Sequence, residues 1–177
     1  MSPAISLAEF MRNTPLLMRA WVAGAASTIV LTLLMAPSLE GYNILALQFS
    51  FSQTQFVSLV EAMSPAAREG FGMHYRYDFL YPIAYGLWMS TTLAWLMKKT
   101  EASHWLNAII YLPMFAALFD LAENSFIAPY ALDFTQVTDH AVFWQSVCAS
   151  MKYGLLAIGG ITLLGLAGKW LMNGKTA

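Results

Sequence analysis

The sequence predicts an all-α integral membrane protein: a four-helix bundle with a short amphipathic helical segment in its first external loop. Three observations point there. Four stretches are apolar enough to span hydrocarbon, charge is scarce, and basic residues gather at the same end of those stretches. The 177 residues are 58% hydrophobic and 11% charged, against about 25% charged in an ordinary soluble domain. Mean hydropathy is +0.55. The net charge of −1 gives no electrostatic basis for binding nucleic acid. The length suits a single membrane domain over residues 1–177.

A helix needs about 20 apolar residues to cross a bilayer. The first stretch, residues 17–36, stops at Pro37, which cannot continue a helix. The basic start and apolar run of residues 1–36 carry no small-x-small cleavage pattern, so this segment reads as a span rather than a leader. The second, 75–97, ends in Lys98-Lys99, and the third, 105–128, closes at Pro129. The fourth, 140–171, is longer than a ~30 Å core needs and should tilt or protrude. Arg12, Arg19, Lys98, Lys99, Lys169 and Lys175 flank one side; Arg68 and Arg76 lie on the other. The excess of Lys and Arg inside the cell therefore predicts an inner-membrane protein with both termini cytoplasmic and loop 37–74 external.

Within that loop, Ser52 with Gln55 three residues on forms a capping-box pattern. Phe56, Leu59, Val60 and Met63 follow at amphipathic helical spacing. Ser64-Pro65 then restarts a helix, with Ser as cap and Pro at the first position. This segment reads as a lid resting on the bundle or headgroups, or as a gate over a cavity. Residues 130–139 read as interfacial loop, with Tyr130 at headgroup level.

The candidate site comes from polar groups that hydrocarbon does not tolerate. Asp120, Glu123 and Asn124 fall within five residues near the outer end of the third span. Asp78, Pro82 and Tyr85 follow one face of the second, and Lys152 interrupts the fourth. A Lys or Asp at mid-membrane costs about 2.5–3.5 kcal/mol even on lenient insertion scales, so these groups should face one another. The expectation is that Lys152 pairs with Asp120 or Glu123, while Asp78 finds Tyr85, Arg76 or Asn124. Asp120 and Glu123 are the candidate acid/base residues. Asp78, Tyr85, Asn124, Lys152 and Arg76 are the candidate binding residues. The acids outnumber the intramembrane base three to one, which calls for a protonated carboxyl, water or a cation.

Pro82 and Pro113 each free a carbonyl one turn earlier and kink a helix. Gly154, Gly159, Gly160 and Gly165 are expected to let helices approach closely, with open space between helices as the alternative. His74, His104 and His140 have no metal-ligand spacing, so no metal site or cofactor is predicted, although His74 and His140 lie on the side of the acids. The lone Cys148 reads as a small buried hydrophobe. No nucleophile elbow, phosphate loop, zinc-helix or dithiol motif occurs.

The segments MSPAAREGFGMHYRYDFLYPIAYGLWM, LPMFAALFDLAENSF and MKYGLLAIG, within residues 50–160, resemble a family of uncharacterised small bacterial four-span membrane proteins. The likeness is an acid, Pro and Tyr in the second span, D-x-x-E-N in the third and Lys in the fourth, matched by Asp78, Pro82, Tyr85, Asp120, Glu123, Asn124 and Lys152. A remote topological likeness links the chain to the EXPERA or emopamil-binding type, the sterol isomerase and sigma-2 receptor group. It implies a four-helix core with acids facing a lipid-filled pocket. Residues 17–36 lack the acid those proteins carry in their first span, so no catalytic role is carried over.

The expected function is a polar pocket in the outer half of the bundle that binds a lipid-like or apolar small molecule, with isomerase-like proton transfer as its chemistry. The expected partners are membrane lipids and that ligand. One alternative is a structural or assembly subunit whose buried ion pairs only fix packing. Another is a small-molecule or proton-coupled transporter, which would need a homodimer.

Overall fold

The computed structural model describes residues 15–173, so Arg12 and Lys175 lie outside the described residues. The regular structure of the described residues is all helical, with no strand among them. In chain order the helices are α1 (Leu16–Met35), α2 (Ile44–Gln48), α3 (Gln53–Glu61), α4 (Pro65–Asp78), α5 (Tyr81–Lys99), α6 (Leu112–Ile127) and α7 (Asp139–Asn173). Short 3₁₀ turns follow α1, precede α6 and link α6 to α7.

Three segments are long and apolar enough to cross a membrane: Leu17–Ser38, Leu106–Tyr130 and Asp139–Asn173. Expected stretch 17–36 corresponds to α1, which gives way to a 3₁₀ turn where Pro37 enters. At ~1.5 Å per residue, the 35 residues of α7 measure about 50 Å.

The second expected stretch, 75–97, is not one helix. Helix α4 ends at Asp78, the chain turns at Phe79 and Leu80, and α5 starts at Tyr81 with Pro82 in its first turn. Pro82 has no N–H for the carbonyl of Asp78, four residues earlier, and its ring crowds that turn. The third stretch divides for the same reason: a 3₁₀ helix over His104–Tyr111 hands over to α6, with Pro113 in the first turn. There the Leu112 N–H takes up the Ile109 carbonyl.

Helix α5 occupies the middle of the fold, against α1, α6 and α7. Two close approaches fix it. A Cβ at Gly24 of α1 would sit 2.9 Å from the Trp88 nitrogen, and one at Gly86 would sit 3.1 Å from the Ala117 Cβ. Trp21 Nε1 also donates to Thr92 Oγ1 at 2.9 Å. The glycines expected to allow close packing do not. A Cβ at Gly154, Gly160 or Gly165 meets nothing within 4 Å, and one at Gly159 reaches only the Pro113 ring at 3.7 Å. Gly154, Gly160 and Gly165 thus face open space, while Gly159 is buried against Pro113 at ordinary contact distance.

Helices α3 and α4 start where capping predicts. Ser52 Oγ accepts from the Gln55 N–H at 3.3 Å, and Ser64 Oγ from the Ala67 N–H at 3.2 Å. Phe56 and Val60 of α3, and Met63 just beyond its end, are buried. Along α4, Ala67, Gly70, Phe71, His74, Tyr75 and Asp78 form one buried stripe at helical spacing. The two faces meet in an aromatic core where Phe71 stacks on Phe134 with centroids 4.5 Å apart. At the opposite end Leu93, Ala94, Met97, Ile110 and Leu166 form a second core, with Leu17 packed against it. That contact places the start of α1 beside the ends of α5 and α7.

Candidate functional site

Between the two cores, α6 and α7 face each other and carry opposite charges. Asp120, Glu123 and Asn124 share one side of α6 because residues three and four apart lie over one another. Lys152 of α7 reaches across. Its Nζ lies 2.9 Å from Asp120 Oδ1 and 2.6 Å from Glu123 Oε2. It thus pairs with both expected acids, and none of the three residues is more than 4% exposed.

The remaining oxygens of both carboxylates are also engaged. Tyr85 of α5 donates through its hydroxyl to Asp120 Oδ2 at 3.0 Å. Glu123 Oε1 accepts from Gln48 Nε2 at 2.5 Å, and Gln48 Oε1 accepts from the Tyr153 hydroxyl at 2.8 Å. Two carboxyl groups thus share one ammonium, and the second oxygen of each meets a neutral donor. Burial is costly for each ion alone; the mutual contacts offset much of that cost.

Asp78 pairs differently from expectation. Its carboxylate lies 3.2 Å from His74 Nε2, one turn earlier on α4. Asn124 does reach Asp78, but at the main chain: Nδ2 donates to the carbonyl oxygen at 2.8 Å. Tyr85 goes to Asp120 instead. Arg76 is not brought into the site. It is exposed and lines an open groove of about 800 Å³ with Arg68, Glu69 and Asp133. The geometry of α4 explains this: residue 76 lies half a turn away from the stripe that buries His74 and Asp78.

Among the described residues, His, Cys, Asp and Glu form no group of three that could hold a metal ion. His140 is exposed and meets the rings of Phe126 and Trp144 rather than the acids. Outside the helical cluster, burial and then the charge of Asp78 hold the Tyr42 phenol well above its ordinary pKa.

Gln48, Tyr153 and the His74–Asp78 pair are the members that sequence reasoning missed. Gln48 had a signal: it is the one polar side chain of the run that Asn43 caps, where Asn43 Oδ1 accepts from the Ala46 N–H at 3.2 Å. Tyr153 stands next to Lys152, whose Nζ lies 4.9 Å from the ring centroid.

No protein-family model, curated protein or solved structure matches the chain.

Proposed function

We propose that the chain is a four-span protein of the cytoplasmic (inner) membrane, and that its buried acid–lysine cluster binds a lipid-like or apolar small molecule. The fourth span is α5. Its modest hydropathy is acceptable because α1, α6 and α7 surround it, so Ser90 and Thr91 face protein rather than acyl chains. Arg19, Lys98, Lys99 and Lys169 mark the cytoplasmic end, which puts both termini inside, loop 37–74 outside and the cluster in the outer half. Kinship with small bacterial four-span proteins rests on Asp78, Pro82, Tyr85, Asp120, Glu123, Asn124 and Lys152.

One observation carries the binding reading. A partner of Glu123 comes not from a spanning helix but from Gln48, on the short helix after α1. A charged site inside a bundle, closed by a side chain from a loop, can admit a polar head while the tail runs along apolar helices. Proton transfer by Asp120 or Glu123 is the chemistry such a site offers, with Lys152 balancing charge.

The closed pairing of Asp120 favours a second reading, in which the network only fixes helix packing. Photolabelling separates the two. A diazirine-bearing acyl lipid, irradiated in native membranes, should label peptides containing Phe49 and Tyr153 in the wild type and lose that label in Asp120→Asn. Equal labelling of both proteins contradicts the binding reading.

A further inference from the structure

We infer that residues 42–50 form a removable plug, and that the seat Gln48 leaves takes the carboxamide head of an amphiphile. This rests on the binding reading above.

The segment is built as an insert. Gly41 at φ +84° and Phe51 at φ +54° bracket it, both left-handed. Glycine accepts that conformation without cost; phenylalanine does not, so the closed position is held against local backbone preference. Beyond Phe51 the chain is pinned to α7 and the segment before it. The Phe51 N–H donates to Ser146 Oγ at 3.1 Å, the Gln53 N–H to Asp139 Oδ1 at 2.9 Å, and Gln53 Nε2 to the Val137 carbonyl at 2.7 Å. Between the brackets, the five-residue α2 is far too short to be stable alone. Leu47 and Gln48 are its buried anchors, while Leu45 and Phe49 remain exposed.

The chemistry of the seat follows from what Gln48 does there. One amide donates to Glu123 and accepts from Tyr153. A carboxylate or phosphate has no proton for Glu123 and adds negative charge beside two acids. An ammonium donates to Glu123 but leaves the Tyr153 hydroxyl without an acceptor. A carboxamide supplies both. Its tail would lie where Phe49 meets the Tyr153 ring, with centroids 5.6 Å apart. Unpartnered buried polar atoms also occur on the segment and on α7. The Tyr42 hydroxyl, on the segment itself, has no hydrogen-bond partner. Neither has Gln145 Oε1, on the Lys152 face of α7 two turns away and only 1% exposed.

The test uses tritiated oleamide on the full chain in nanodiscs, with oleic acid and oleylamine as controls. Gln48→Ala removes the tethered competitor. Gln48→Asn, one methylene too short for both partners, serves if the alanine variant does not fold. Either folded variant should bind oleamide at least about tenfold more tightly than wild type. Adding Tyr153→Phe should cancel the gain, and the acid and amine should show none. No gain in any folded Gln48 variant, or an equal gain for acid or amine, overturns the inference. Photolabelling that still depends on Asp120 would then leave the binding reading standing; its loss would remove both.

Discussion

Asn124 donates through Nδ2 to the carbonyl oxygen of Asp78, the atom that Pro82 leaves without its helical donor. The side chain of α6 thereby completes the backbone of the α4–α5 junction. A buried carbonyl with no partner costs about 1–3 kcal/mol, so Asn124→Ala should lower stability by that order. Pro82→Ala restores an N–H at the junction and should shrink the loss. A double-mutant cycle of unfolding in mixed micelles checks this. Strictly additive effects, within about 0.5 kcal/mol, would disconnect the two residues.

Lys152 holds Asp120 and Glu123 together, so its removal leaves two facing carboxylates. Lys152→Met should destabilise by about 3–5 kcal/mol, the usual result of breaking a buried pair. Combining it with Asp120→Asn and Glu123→Gln should recover much of that loss. Unfolding curves of the single and triple variants decide the matter, and a triple variant no better than the single one counts against charge as the cause.

Glycine substitutions should divide by location. Gly24→Ala pushes a methyl to 2.9 Å from the Trp88 backbone, and overpacking of that kind costs about 1–3 kcal/mol. Gly160→Ala and Gly165→Ala meet open space and should stabilise by about 0.5–1 kcal/mol through helix propensity. Thermal midpoints of the three variants, measured in one detergent, give the comparison.

The fourth span has its own check. In a Cys148→Ser background, an impermeant maleimide applied to intact cells should reach Glu40→Cys and Asp133→Cys. Lys99→Cys and Lys169→Cys should react only after permeabilisation. Labelling of Lys99→Cys in intact cells would mean that α5 does not cross.

What could be read beforehand follows from how sharply a residue contrasts with its surroundings. Lys152 and the Asp120–Asn124 turn stand out because ionised groups in apolar helices must find one another, and all meet at the site. Capping made α3 and α4 legible, since Ser52 and Ser64 act on their own next residues. Gln48 escaped because the Asn43 cap marks only where a five-residue helix starts, and one amide on so short a helix carries no periodic signal; its role depends on where α2 lands. Arg76 misled for a related reason. Charge drew attention to it, while the helical stripe through His74 and Asp78 puts it on the outer side. The breaks at Pro82 and Pro113 were visible as kinks, but hydropathy cannot say that a kink becomes a new helix start.

The central claim is that the side chains around Lys152 hold an amphiphile. Native mass spectrometry of gently extracted protein tests it most directly. The account predicts a bound lipid-sized mass on the wild type that is absent from folded Asp120→Asn and Lys152→Met. Identical occupancy in all three proteins would contradict it.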